Sequence, residues 1–211
     1  MGEKISKEFI DKVFPHLDLK NRKETEKKLI NLLESLEVSR RYYEDLAGDE
    51  TQENDELIKT YDAYKFVIEK ILPSGYILIE EKMPRSSELW RGTDPLKIFS
   101  LMSDTGNALK IESDFPNVAH KWSTSLGYGH GRDTLSMPFV LAMGFARPKD
   151  LVTKNRKEDD KFKDTIETTE GEINFNNLRE LAIRLKGKEP GQVFPPKFYK
   201  INKIEGESLA A

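Results

Sequence analysis

Three short runs in the second half of the chain gather residue types that handle phosphate, hydroxyl contacts and developing positive charge. They are Trp90-Arg91-Gly92, Ser123-Thr124-Ser125 and Glu170-Gly171-Glu172. A guanidinium presents a planar fork of donors that meets phosphate oxygens two at a time. Gly92, next to Arg91, lets a ligand approach the backbone closely. Hydroxyls along a strand can orient a neighbouring carboxylate. Glu170 and Glu172 lie two apart, so a strand would turn both carboxylates to one face. Repulsion within such a pair favours protonation of one member, which suits acid–base work, and a carboxylate can steady an oxocarbenium-like centre. Each run also has a plain reading: a surface arginine, a polar edge strand, a solvated acidic pair. Their order and spacing together argue for a site that holds a dinucleotide and breaks a glycosidic bond in it.

Other chemistries find little footing. The three histidines, His16, His120 and His130, are scattered, with no acidic neighbours at ligand spacing, so a metal site is not expected. His130 sits in Gly127-Tyr128-Gly129-His130-Gly131, which reads as a loop because it holds three glycines in five residues, and it is kept as a substrate contact. The chain has no cysteine, which excludes disulfides, thiolate nucleophiles and cysteine zinc sites. No Gly-x-Ser-x-Gly elbow marks a serine hydrolase.

The elements that must position these residues change character partway along. In the first third, Leu29, Leu32, Leu33 and Leu36 form a helical stripe within Lys20–Tyr43, and Leu57, Tyr61, Tyr64, Ile68 and Ile71 form a second. A shorter helix is expected over Lys7–Val13, and the acidic run from Asp45 to Glu56 reads as a loop. After Pro73-Ser74-Gly75, strands are expected at Tyr76–Ile79, Glu88–Arg91, Pro138–Phe145, Glu172–Phe175 and Phe198–Ile204. The serine run is expected on a strand, helices over Pro95–Leu101 and Asn176–Leu185, and an exposed loop over Lys154–Lys163. The fold class implied is α+β: a helical N-terminal segment, residues 1–75, then a mixed, mainly antiparallel sheet core over 76–205 and a tail at 206–211.

The 211 residues carry 34 basic and 37 acidic side chains, a net charge of −3. Mixed charge of this kind argues against a dedicated nucleic-acid binder. No run approaches the ~20 apolar residues needed to span a bilayer. Met1–Lys12 lacks the apolar stretch of a signal peptide. A cytoplasmic protein with no membrane partner is expected.

Taken together, Leu89-Trp90-Arg91-Gly92, Trp122-Ser123-Thr124-Ser125-Leu126 and Glu170-Gly171-Glu172-Ile173 resemble the Arg–Ser–Glu signature of mono-ADP-ribosyltransferases, a family of bacterial toxins, effectors and phage enzymes. The resemblance spans about residues 76–204 in layout and implies the split β-sheet core of that family. It implies NAD as co-substrate with no metal, and a target protein as partner, with arginine as the acceptor. It also implies host cytosol as the place of action if the chain is an effector or phage protein. Arg91 and Gly92 would hold the NAD phosphates, and Thr124 and Ser125 would shape the nicotinamide pocket. Ser123 would sit against the catalytic carboxylate Glu172, with Glu170 assisting the incoming nucleophile.

Two features depart from the family pattern. The glycine run follows the serine motif where a helix is usual, and the proline-containing turn comes late, at Pro190–Pro196. Either Asn176–Lys188 is an insertion, which is favoured, or the third motif is Glu189–Gln192. Two further readings stay open. One is an NAD glycohydrolase or nucleic-acid ADP-ribosyltransferase on the same fold, with Lys149, Lys154, Arg156 and Lys157 as basic contacts. The other is a non-catalytic protein-interaction module.

Overall fold

The leucine stripes of the first third become helices because each puts its apolar positions on one side. In the computed structural model, α1 (Lys7–Val13), α2 (Arg22–Leu46) and α3 (Glu50–Ile71) lie within one compact unit, Met1–Leu72; the other unit is Pro73–Ala211. The structure describes residues 7–13, 20–46, 50–73, 75–93, 95, 98–99, 102–103, 106–111, 117–130, 139–147, 153–155, 165–168, 171–185 and 194–204. Leu29, Leu32, Leu33 and Leu36 of α2 are buried, as are Tyr61, Tyr64, Val67, Ile68 and Ile71 of α3. At the start of α2, the Asn21 amide donates to Glu24 at 2.8 Å, and Glu24 meets Lys28 one turn on at 3.1 Å. Lys70 of α3 pairs with Asp11 of α1. The acidic run expected as a loop is mostly helical, since α2 reaches Leu46 and α3 starts at Glu50. Glu, Gln and Leu favour helix, and acids suit a helix N-terminus, so polarity alone misleads there.

The second unit is built on a sheet. Its strands are β1 (Tyr76–Glu81), β2 (Leu89–Thr93), β3 (Ala108–Ile111), β4 (Asn117–Ala119), β5 (Phe139–Phe145), β6 (Thr153–Asn155), β7 (Thr165–Thr168), β8 (Gly171–Asn174), β9 (Leu178–Leu185) and β10 (Lys197–Lys203). Eight pair in the order β1-β10-β9-β5-β2-β4-β7-β6, and β3 pairs with β8 separately. Every pairing among the described strands is antiparallel. The molecule is therefore α+β with a mainly antiparallel sheet. Gly75, at φ +81°, makes the turn into β1, and its carbonyl accepts from Ile204 N–H at 2.7 Å. None of the described helices is long and apolar enough to cross a membrane.

Three local expectations give way to tertiary structure. Trp122–His130, including the serine run and most of the glycine run, is a helix, α4, rather than a strand and a loop. Its glycines weaken it, but Trp122 and Leu126 anchor it on the sheet beside Trp90, Val140, Ala142, Ala182 and Phe198. The segment expected as a helix over Asn176–Leu185 is a 3₁₀ turn, Phe175–Asn177, followed by β9. Leu-Arg-Glu-Leu-Ala-Ile-Arg-Leu suits a helix by composition, but between β5 and β10 it is fixed by pairing on both edges. Thr153–Asn155 is a strand where a loop was expected, and the rest of Lys154–Lys163 lies outside the described residues, as does the tail. Of the Pro95–Leu101 helix, Pro95, Ile98 and Phe99 are described, and all three are helical.

Gly92 and Gly127 make opposite predictions. A Cβ on Gly92 would overlap the Ser125 carbonyl of α4, whereas one on Gly127 meets nothing within 4 Å. Gly92→Ala should lower stability by about 1–3 kcal/mol as strand and helix are forced apart. Gly127→Ala should raise it by about 0.5–1 kcal/mol, the helix-propensity gain. Urea unfolding midpoints measure both, and shifts of the same sign would refute the contact between β2 and α4.

Candidate functional site

Strand register fixes which way each candidate points, because residues opposite one another share a face and neighbours along a strand alternate. One row runs Ile79, Lys200, Glu180, Gly144, Trp90, and the next runs Glu81, Phe198, Ala182, Ala142, Gly92. This is the face that α4 covers at its centre. Arg91 belongs to the row Glu80, Tyr199, Leu181, Met143, Arg91, which faces the other way. It is buried there, at 8% exposure.

The first two motifs do meet, through backbone. Ser125 Oγ donates to the Trp90 carbonyl at 2.8 Å, and Gly92 provides the gap in which the Ser125 carbonyl sits. Ser125 is buried, Thr124 half-buried and Ser123 exposed on α4. The side chains meant for chemistry thus diverge: Arg91 lies on the far face from the helix that carries Ser123. Glu172 lies in β8 opposite Lys110 of β3. Glu170 and the Glu189–Gln192 stretch lie outside the described residues. His130 is the last residue of α4. Among the described residues no three His, Asp or Glu side chains gather as a metal site would need.

The buried carboxylate of this face is one the sequence reading passed over. Glu180, on β9, is 1% exposed, and its Oε1 accepts backbone N–H groups of Arg85 at 2.6 Å and Ser86 at 2.8 Å. The chain between β1 and β2 must pass the β10, β9 and β5 positions, and Glu88 N–H then bonds the Phe145 carbonyl at 3.0 Å. Glu180 supplies the acceptor that this crossing segment needs for two of its donors. Its Oε2, the Ser87 hydroxyl and Glu81 Oε1 are buried without a hydrogen bond of good geometry. A helical reading of Leu178–Leu185 hid this residue. Read at period two, Glu180, Ala182 and Arg184 fall on one face and Leu181, Ile183 and Leu185 on the other.

The two carboxylates of this cluster move in opposite directions. Burial pushes Glu180 up, but the Ser87 hydroxyl and the Arg85 and Ser86 N–H groups outweigh it and hold the group below its ordinary range. Glu81 is pushed up, first by burial and then by the charge of Glu180. Of the two, Glu81 is the one that gains a proton first as pH falls. Compared with protein-family models, curated proteins and solved structures, the chain gives no match.

The signs set a pH signature. A carboxylate held low stabilises the fold above its unfolded pKa, and that stability is lost as pH falls through the folded value; a carboxylate held high does the reverse. Glu180→Gln should cost about 1–3 kcal/mol near neutrality, since charge-assisted bonds become neutral ones, and progressively less in acid. Glu81→Gln should instead stabilise the protein near neutrality, with the gain fading as pH falls toward the unfolded value and gone by about pH 4. Urea midpoints across this range test the pair, and parallel pH profiles for the two variants would rule out the opposed shifts.

Proposed function

We propose that the chain is an NAD-dependent mono-ADP-ribosyltransferase that moves ADP-ribose to a protein side chain, with arginine the first candidate, through an oxocarbenium-like transition state. The observation that carries the reading is the meeting of two distant motifs. Trp90–Gly92 and Ser123–Ser125 pack backbone to backbone, with Ser125 bonded to Trp90 at 2.8 Å. An α+β chain whose mainly antiparallel sheet follows a helical segment also agrees with the layout the resemblance implies. In this reading Arg91 holds the diphosphate, and Gly92 keeps the backbone open beside it. Ser123 sits against the catalytic carboxylate, and Thr124 and Ser125 shape the nicotinamide pocket. Glu172 steadies the developing cation, and Glu170 assists the acceptor.

A second reading, a non-catalytic interaction module, is favoured by one observation. Arg91 and Ser123 lie on different sides of the sheet, and packing alone accounts for Gly92 and Ser125. The catalytic reading requires a ligand that reaches Arg91 from the face opposite α4.

Incubation with NAD labelled in the adenylate and with a cell extract separates the readings. Transfer predicts label on protein, abolished by Arg91→Lys and Glu172→Gln in variants that keep the parent's circular dichroism. Mutagenesis of such groups commonly costs a factor on the order of 100–1000. Nicotinamide release without labelled macromolecule would mean glycohydrolysis, and label on nucleic acid the related transferase. If Glu172→Gln retains labelling while folded Glu180→Gln loses it, the carboxylate belongs to β9. A parent protein that neither labels nor releases nicotinamide sinks the enzymatic reading.

A further inference from the structure

On the face that carries Arg91, at the β1 edge of the sheet, two cations converge on one carbonyl. Arg179 Nη1 donates to the Asn176 carbonyl at 2.7 Å and to that of Leu178 at 3.3 Å. Lys203 Nζ donates to the same Asn176 carbonyl at 3.2 Å and to Asn176 Oδ1 at 3.2 Å. The Tyr76 hydroxyl reaches Asn176 Oδ1 at 3.4 Å, and Lys203 Nζ stands 5.3 Å from the centre of the Tyr76 ring.

The scaffold under this cluster is rigid by construction. Asn176 sits in the 3₁₀ turn, whose N–H is taken by Asn174 Oδ1 at 2.7 Å. The turn is tied on both sides, by Phe175 N–H to the Asn107 carbonyl at 2.8 Å and by Ala146 N–H to the Asn177 carbonyl at 2.8 Å. Tyr76 and Lys203 are direct cross-strand partners in the β1–β10 ladder. Four side chains from four elements therefore converge on one point.

Like charges on one oxygen repel, and partial negative charge on a carbonyl offsets only part of that. Neither Arg179 nor Lys203 has a carboxylate partner among the described residues. Lys197 of the same unit, by contrast, pairs with Glu80 at 3.3 Å. We propose that Arg179, Lys203, Tyr76 and Asn176 form a binding site for a phosphoryl group, either free phosphate or the phosphate of a nucleotide. The arginine fork meets two phosphate oxygens, the ammonium a third, and the tyrosine hydroxyl and the Asn176 amide donate at the rim. Burial, and then the Arg179 guanidinium, hold Lys203 below its ordinary range, as expected of a cation beside another cation. The site is independent of the NAD reading, since none of its residues belongs to the three motifs.

The test is an NMR titration of the full chain with inorganic phosphate up to about 10 mM, in the affinity range a small anion site gives. Chloride at matched ionic strength is the blank. Saturable shifts of Tyr76 and of the Asn176 side-chain amide are expected with phosphate but not chloride, together with a rise in the Lys203 pKa. Arg179→Gln and Lys203→Gln should each weaken binding about ten-fold or more, while Lys203→Arg should retain it. AMP against adenosine separates the sources: binding by AMP comparable to phosphate means a phosphoryl site in general, and much tighter binding means a nucleotide site. Non-saturable shifts, shifts matched by chloride, or full binding in a folded Arg179→Gln/Lys203→Gln double variant would overturn the proposal. So would a carboxylate found bonded to Lys203 by solution measurement. Loss of labelling from NAD in the Arg91 and Glu172 variants bears on the transferase reading alone and leaves this site untouched.

Discussion

A helix can approach a sheet this closely only where the sheet offers almost no side chain, and that constraint organises the second unit. The row beneath α4 runs Gly92, Ala142, Ala182 and then Phe198 across four neighbouring strands. Three small residues make a shallow trough, and Phe198 closes one end against Trp122, edge to face at 4.9 Å. Within the trough the Ser125 carbonyl occupies the space a Cβ on Gly92 would need. Ser125 Oγ in turn serves the Trp90 carbonyl, so the buried hydroxyl of α4 has a partner on the strand. The close approach lets a nine-residue helix with two glycines hold its place.

The same face sets a second requirement at its other end. The segment from β1 to β2 passes three strand positions, and its N–H groups have no ladder to join there. A carboxylate projecting from β9 meets two of them, at the cost of burying a charge beside Glu81. That cost falls on Glu81, whose carboxyl is pushed up, while the hydrogen bonds to Glu180 hold that group down. Gly144 belongs to this arrangement, since a Cβ there would run into Ser87 and the Trp90 ring. Placement of Arg91 thus depends on the trough beneath α4 and on the carboxylate of β9, both of which fix the course of β2.

How much of this was legible in the sequence follows from how local the determinants are. Lys7–Val13, the two leucine and tyrosine stripes, and strands such as Phe139–Phe145 were legible, because apolar periodicity decides them within a dozen residues. Trp122–His130 and Leu178–Leu185 were not. Glycines argue against a helix in the first case and Leu, Arg, Glu and Ala argue for one in the second, while the deciding contacts come from residues fourteen or more positions away. The candidate site suffered more than the fold did. That Arg91 and Gly92 fall on opposite faces follows from period-two alternation alone. That α4 lies on the Gly92 face does not, because it requires knowing that Trp90 and Leu126 share a cluster. Glu180 was hidden by the helical reading, which removes the alternation that exposes it.

Sheet geometry then explains why polar groups gather where they do. The α4 face carries its carboxylates, Glu81 and Glu180, near the crossing segment, and the opposite face carries Arg91 within and Arg179 with Lys203 at its edge. Each face also holds the opposite sign, Lys200 and Arg184 on the α4 face and Glu80 on the other, so the separation is local to these clusters while the chain as a whole carries −3. Composition could not reveal this, since 34 bases and 37 acids average to a mixed surface. An anionic ligand would be drawn to the Arg179–Lys203 cluster and repelled from Glu81 and Glu180. For the transferase reading this means that a diphosphate would have to reach Arg91 from the face that α4 does not cover, with the reacting carboxylate coming from another strand.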